Sequence, residues 1–257
     1  MNSAKFEFIG ELNDFLKNEK KGITFDFSFE GSPSAKDIIE SLGVPHVEID
    51  AILINNVSVP FNYNLKNGDY VKVHSIFEPY ELPDIIHLKE KITGIPSFIA
   101  DVQIGKLARY LRLLGFDALY DNKYDSKNII KISAEQNRTI LTRNVFLLKN
   151  SSVTKGYWIR SQDPYQQTLQ VIRYSELEPH IKLFYRCIEC NGILEKINKE
   201  LIIDRLLPNT KKYFDEFHIC SSCKNIYWKG SHFKKMISLV EKIKHVADSS
   251  SDKPDSN

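Results

Sequence analysis

The chain has 257 residues, 42% hydrophobic and 26% charged, an ordinary globular balance with material for more than one core. No run approaches the 18 apolar residues of a membrane span, and the opening MNSAKFEFIG has neither the basic nor the apolar stretch of a secretion signal, so a cytoplasmic protein with no membrane partner is expected. The formal charge of +2 hides a division: residues 1–90 hold 8 Lys, no Arg and 15 Asp or Glu, a net of −7, whereas residues 91–257 hold 19 Lys, 8 Arg and 18 acids, a net of +9. Two domains follow, the second suited to a polyanion or simply a solvated basic domain.

Residues 5–9 and 23–29 alternate apolar and polar with period two, as half-buried strands do. Gly31-Ser32-Pro33 breaks the pattern, Ser34 caps a short helix with Asp37 three residues on, and Gly43 ends it. Three further strands are expected over 47–53, 57–61 and 70–77, with turns at Asn55-Asn56 and Asn67-Gly68. The order ββαβββ over residues 1–80 resembles a ubiquitin-like β-grasp domain of the sulfur-carrier type, an α+β fold. Those carriers end in a free diglycine, but here the last strand continues into Ile76-Phe-Glu-Pro-Tyr80, so carrier chemistry is absent. A module that binds a protein partner or serves as scaffold is the expectation.

Pro83 and Pro96 bracket a linker over 81–96. From 97 to about 180, strands alternate with helices: strands at 97–101, 116–120, 139–142 and 156–159, helices at 102–114, 126–137 and 164–174. That alternation implies a parallel sheet covered by helices. Function in such sheets gathers at the carboxyl ends of strands, where this chain places Asp101, Asn144 and the segment before Asp163, with Asp121 and Asp125 after the second strand. Carboxylates clustered there would hold Mg²⁺ or Mn²⁺, hard ions that take oxygen ligands and keep several waters. Capping of the helices that follow is the plainer role for Asp101 and Asp163. Lys106, Arg109 and Arg112 recur every three residues on one helix face and, with Arg143, would make a phosphate-contacting rim for RNA; a solvated helix face is the alternative.

All four cysteines fall in two pairs, Cys187-x-x-Cys190 and Cys220-x-x-Cys223. Each turn aims two thiolates at one ion, and two turns complete the tetrahedral shell of a structural Zn²⁺. Gly192 and Asn225, two residues past each pair, are expected to supply left-handed backbone. His218 and His232 have no place in a shell already filled. Tyr213, Phe214, Phe217, Tyr227, Trp228 and Phe233 are expected to pack this ribbon, which with a C-terminal helix fills 181–245. The Ser- and Asp-rich tail 246–257 is expected to be disordered.

Phe98-Ile-Ala-Asp-Val-Gln-Ile-Gly-Lys-Leu-Ala-Arg-Tyr-Leu-Arg-Leu-Leu-Gly-Phe-Asp117, then Arg138-Thr-Ile-Leu-Thr-Arg-Asn144, then the two cysteine pairs with Tyr227-Trp-Lys-Gly-Ser-His232 together resemble the Mut7-C RNase family over about 97–235. The resemblance implies a PIN-like nuclease fold with an appended zinc ribbon, a metal-dependent ribonuclease activity with acids at the strand ends, and in bacterial members a ubiquitin-like domain in front. Asp101 matches the family's first acid. The second aligns at or beside Asp125. Where the family reads Thr-Arg-Asp this chain has Thr142-Arg143-Asn144, an amide that can still offer an oxygen but no charge. Two activities therefore stand open: phosphodiester hydrolysis at Asp101, Asp125, Asn144 and Asp163, and an RNA-binding or adaptor protein with a weakened metal site.

Overall fold

The computed structural model of the chain describes residues 1–76, 84–89, 94–230, 237 and 240–242. Part of the linker, most of the expected C-terminal helix, His232, Phe233 and the 246–257 tail lie outside the described residues. The chain divides into two compact units, residues 1–91 with 133–136 and 140–158, and residues 92–132 with 137–139 and 159–257.

The N-terminal alternation produces β1 (Asn2–Phe8), with Ala4, Phe6 and Phe8 buried while Lys5 stays in water. It pairs antiparallel with β2 (Phe25–Phe29). The Ser34 hydroxyl accepts from Asp37 N at 3.1 Å and opens α1 (Ala35–Leu42), whose Ala35 and Ile39 are buried. Gly43 ends this helix at φ 126°, and a side chain there would meet the Phe15 carbonyl at 2.5 Å. The strand expected from 47 starts later. After Pro45 the chain makes a 3-10 turn, with Ile49 N bonded to His46 O, before β3 (Ala51–Ile54). β3 turns through Asn55 and Asn56, both at positive φ (51° and 66°), into β4 (Val57–Val59). An amide side chain tolerates that left-handed pair better than most. β5 (Tyr70–His74) lies parallel to β1 and antiparallel to β3, giving the sheet order β2-β1-β5-β3-β4. The ββαβββ expectation holds.

The second pattern yields β6 (Phe98–Ala100), α2 (Gly105–Leu113), β7 (Ala118–Leu119), α3 (Ser126–Gln136), β8 (Thr139–Thr142), α4 (Val145–Leu148), β9 (Gly156–Trp158) and α5 (Pro164–Tyr174). The four strands form one sheet in the order β7-β6-β8-β9, and β6 with β7 and β8 with β9 run parallel. The predicted stripe Ile104, Leu107, Ala108, Leu111 and Leu114 is buried, and α2 packs against β6 and α5. Burying each large aliphatic side chain contributes about 1.5–3 kcal/mol, which is what fixes this helix on its sheet. The helix expected from 102 begins instead with a separate 3-10 turn, Val102–Ile104, closed by Ile104 N on Asp101 O. α4 is an element the sequence pattern did not suggest, being a single turn.

The cysteine-bearing segment forms β10 (Leu194–Ile197), α6 (Pro208–Tyr213), β11 (Phe217–Cys220) and β12 (Ile226–Trp228), an antiparallel sheet in the order β10-β11-β12. Phe217 is buried with Ile202 and Leu206, and Phe214 and Trp228 pack on them. Tyr213 departs from expectation: it is 65% exposed and packs nothing at the centre.

Candidate functional site

Asp101 directly follows β6, at the carboxyl end of the strand, and is only 8% exposed. It occupies the N-cap position of the 3-10 turn, yet its side chain makes no cap hydrogen bond, so the plainer reading of this acid as a helix cap does not apply. Asp163 does cap: its Oδ1 accepts from Gln166 N at 2.9 Å at the start of α5. Asp125 behaves likewise before α3, accepting from Asn128 N at 2.7 Å, and Asp121 accepts from Lys123 N. Both Asp125 and Asp163 are exposed. Asn144 follows β8; its Oδ1 accepts from Phe146 N at 3.1 Å and its own N–H is held by Thr142 Oγ1 at 2.9 Å. Among the described residues, three or more His, Cys, Asp or Glu ligand atoms come together only at the four cysteines, so Asp101, Asp125 and Asp163 do not form a three-carboxylate group.

The basic rim is corrected at one position. Lys106 and Arg109 are exposed, as a phosphate-contacting role requires, and Arg109 pairs with Glu189. Arg143 is half-buried. Arg112 is 3% exposed and cannot reach a phosphate. Its Nε donates to Ala118 O at 2.7 Å, and its Nη1 donates to Ile188 O and Glu189 O at 3.0 and 2.8 Å. Three-residue spacing put it beside Lys106 and Arg109, but it also lies four residues past Ala108, on the margin of the buried stripe. A long side chain there turns inward when carbonyls await it.

The four cysteines are free thiols whose sulfurs all lie within 4.8 Å of one another, with Cys187 to Cys223 at 3.5 Å and Cys190 to Cys220 at 3.4 Å. Tetrahedral Zn–S bonds of about 2.3 Å place sulfurs about 3.8 Å apart, so the donor set fits. The left-handed residues are Asn191 (φ 68°) and Lys224 (φ 62°), one past each pair, instead of Gly192 and Asn225. Gly192 is needed for space: a Cβ there would lie 2.9 Å from Cys220 Sγ and 2.7 Å from Ser222 Oγ. Burial pushes the Cys220 thiol up, but N–H groups of Cys223 and Ser222 and the adjoining thiols outweigh it and bring it down to about 7; Cys223, where burial dominates, is pushed up to about 12. Tyr227 OH sits 3.0 Å from Cys187 Sγ. His218 stacks on Phe184 at 5.0 Å and is not among the gathered ligands.

A model of the Mut7-C RNAse domain matches residues 96–240, more than half the chain. The chain belongs to the Mut7-C RNAse domain family. A Mut7-C ubiquitin model matches residues 1–81 ahead of it, in the order the sequence suggested. No curated protein and no solved structure matches. No described helix is long and apolar enough to cross a membrane.

Within the Mut7-C domain, one network was not anticipated. Asp117, just before β7, accepts from Arg138 Nη1 at 2.6 Å and Asn191 Nδ2 at 2.8 Å, and pairs with Arg186 at 3.2 Å. Asn191 also receives Ala118 N on its Oδ1. Burial raises the Asp117 pKa, but these donors and cations outweigh it and hold the carboxyl below the usual range. With Arg112 they tie the first cysteine turn of the Mut7-C domain to β7 and α2. The only sequence signal was Asp117 and Arg138 standing at the mouths of two strands.

Proposed function

We propose that this protein is a ribonuclease of PIN-like fold that cuts phosphodiester bonds with help from Mg²⁺ or Mn²⁺, its ribbon held by structural Zn²⁺ at Cys187, Cys190, Cys220 and Cys223. The observation that carries the reading is Asp101, a buried carboxylate at a strand's carboxyl end that is not used to cap the turn it begins. Mg²⁺ keeps most of its waters and is commonly held by one or two carboxylates plus substrate phosphates, so the absence of a three-acid cluster among the described residues does not conflict with the proposal. Asp101 would hold the ion, Asn144 would offer a neutral oxygen, and Asp125 and Asp163 would act through water with the oxygen their caps leave over. The ion would supply an activated water and charge stabilisation at the leaving oxygen. Lys106, Arg109 and Arg143 would steer RNA phosphates. Labelled RNA incubated with Mn²⁺ tests this: cutting should need Asp101, and cleavage that persists in Asp101→Ala would remove the site.

A second reading is favoured by Asn144 itself, whose oxygen already accepts from Phe146 N and which adds no charge. It makes the protein an RNA-binding adaptor, with salt-sensitive binding and no cutting.

A further inference from the structure

We propose that the ubiquitin-like domain is an in-cis brace for the candidate site, with Glu48 and Trp158 as positioning residues for Arg143 and Asn144. This rests on the ribonuclease reading for its functional consequence, though not for its structural one. Among the described residues β9 is the last strand of its sheet, so one side of it has no further strand beside it. Glu48 takes the place of that strand: its Oε1 accepts from Trp158 N at 2.7 Å, and the residue is 3% exposed. A backbone N–H that donates to a carboxyl oxygen in so buried a setting is costly to lose, because both groups have given up water.

Two more contacts from the same stretch grip the segment between Asn144 and Trp158. His46 Nε2 lies 2.8 Å from Val153 O while its Nδ1 meets Glu40 at 2.7 Å, and Lys149 Nζ donates to Glu40 O at 2.8 Å. The indole of Trp158 completes the link. One face packs on Phe15, ring centres 4.7 Å apart, and its Nε1–H donates to Arg143 O at 3.2 Å. Direct contacts thus run from Glu48 through Trp158 to Arg143, the neighbour of Asn144. All these residues belong to one compact unit. The surface formed by residues 40–48 is engaged by this chain's own β9 and by Lys149 and Val153 ahead of it, which makes the partner of that surface the chain itself.

The test uses the full chain with Glu48→Ala, Glu48→Gln and Trp158→Phe, followed by amide hydrogen exchange and by RNA cutting with Mn²⁺. Losing a bond of this kind should speed exchange at the Trp158 and Asn144 amides about tenfold or more in Glu48→Ala. Glu48→Gln, which keeps an acceptor oxygen, should restore most of the protection, and Trp158→Phe should loosen 143–144 while β1 and β2 stay protected. Rates of cutting should follow the exchange at 143–144, falling in kcat more than in KM. Unchanged exchange at 143–144 in both Glu48→Ala and Trp158→Phe overturns the brace. Exchange that responds as expected in a protein that never cuts RNA overturns the ribonuclease reading and leaves the brace standing.

Discussion

Nη1 of Arg112 lies 2.8 Å from the carbonyl oxygen of Glu189, so a guanidinium from α2 satisfies backbone inside the first cysteine turn. Burial lowers the basicity of this Arg, with the nearby thiols, Glu189 and Asp117 opposing the shift. The group is a structural tie between the sheet and the ribbon.

Replacing it should therefore cost stability and leave RNA contacts alone. Arg112→Met strands three carbonyls in a buried setting, a loss of roughly 2–4 kcal/mol. Denaturant unfolding measures the loss. RNA binding titrated against salt should keep its slope in Arg112→Met, whereas Lys106→Ala or Arg109→Ala should each reduce the slope by about one.

The contrast between Arg112 and its helix neighbours marks how far the sequence could be read. Apolar period located α2 because Leu107, Leu111 and Leu114 have only one place to go. It could not decide whether the side chain at 112 crosses the margin of that stripe, since the carbonyls that draw it in come from residues 118, 188 and 189. The cysteine site was legible because its ligands fall in two local turns and need only meet once. Residue-level turn chemistry was harder: left-handed backbone fell on Asn191 and Lys224, and Gly192 serves as clearance for a sulfur. Glu48 and Trp158, 110 positions apart, carried no local signature at all.

Asp117 sets an acid limit on the domain. Its carboxyl titrates below the ordinary value because Arg138, Asn191 and Arg186 outweigh its burial. A carboxyl depressed in the folded state contributes stability that is complete above its unfolded pKa of about 3.9 and is lost as pH falls through the folded value. Stability measured by denaturant should hold steady from pH 7 to 5 and decline below about pH 4. Asp117→Asn should lower the plateau by about 1.5–3 kcal/mol and flatten this limb, because the amide keeps an acceptor but has no proton to lose. An identical acid limb in the variant would assign the decline to other carboxyls.

Zinc uptake should be strongly pH-dependent. All four sulfurs must be thiolates in the shell, and Cys223, pushed up to about 12 by burial, still carries its proton at neutral pH. Proton release on titrating Zn²⁺ into the metal-free protein, and a Kd that rises on going from pH 7.5 to 6, are the expected results in a chelator competition. Because Arg112 and Asn191 join the first cysteine turn to β7, metal removal should also raise hydrogen exchange at Ala118, whose N–H donates to Asn191 Oδ1.

Asn144→Asp separates the two functional readings. The side chain caps α4 through Oδ1, and an aspartate caps as well as an asparagine, so the turn should persist. A carboxylate at the start of a helix turn is favourable by about 0.3–1 kcal/mol, so stability without metal should be unchanged or slightly raised. The added charge acts on the ion directly. If Asn144 contributes its oxygen to the site Asp101 anchors, the variant should bind Mn²⁺ at least about tenfold more tightly, since one more unit charge at ligand distance exceeds 1.4 kcal/mol at an effective dielectric of about 20. Calorimetric titration with Mn²⁺ reads that change without any need for cutting. A gain in affinity that vanishes in Asp101→Ala/Asn144→Asp would place both side chains on one ion, and equal affinity in wild type and variant would take Asn144 out of the metal site and favour the adaptor.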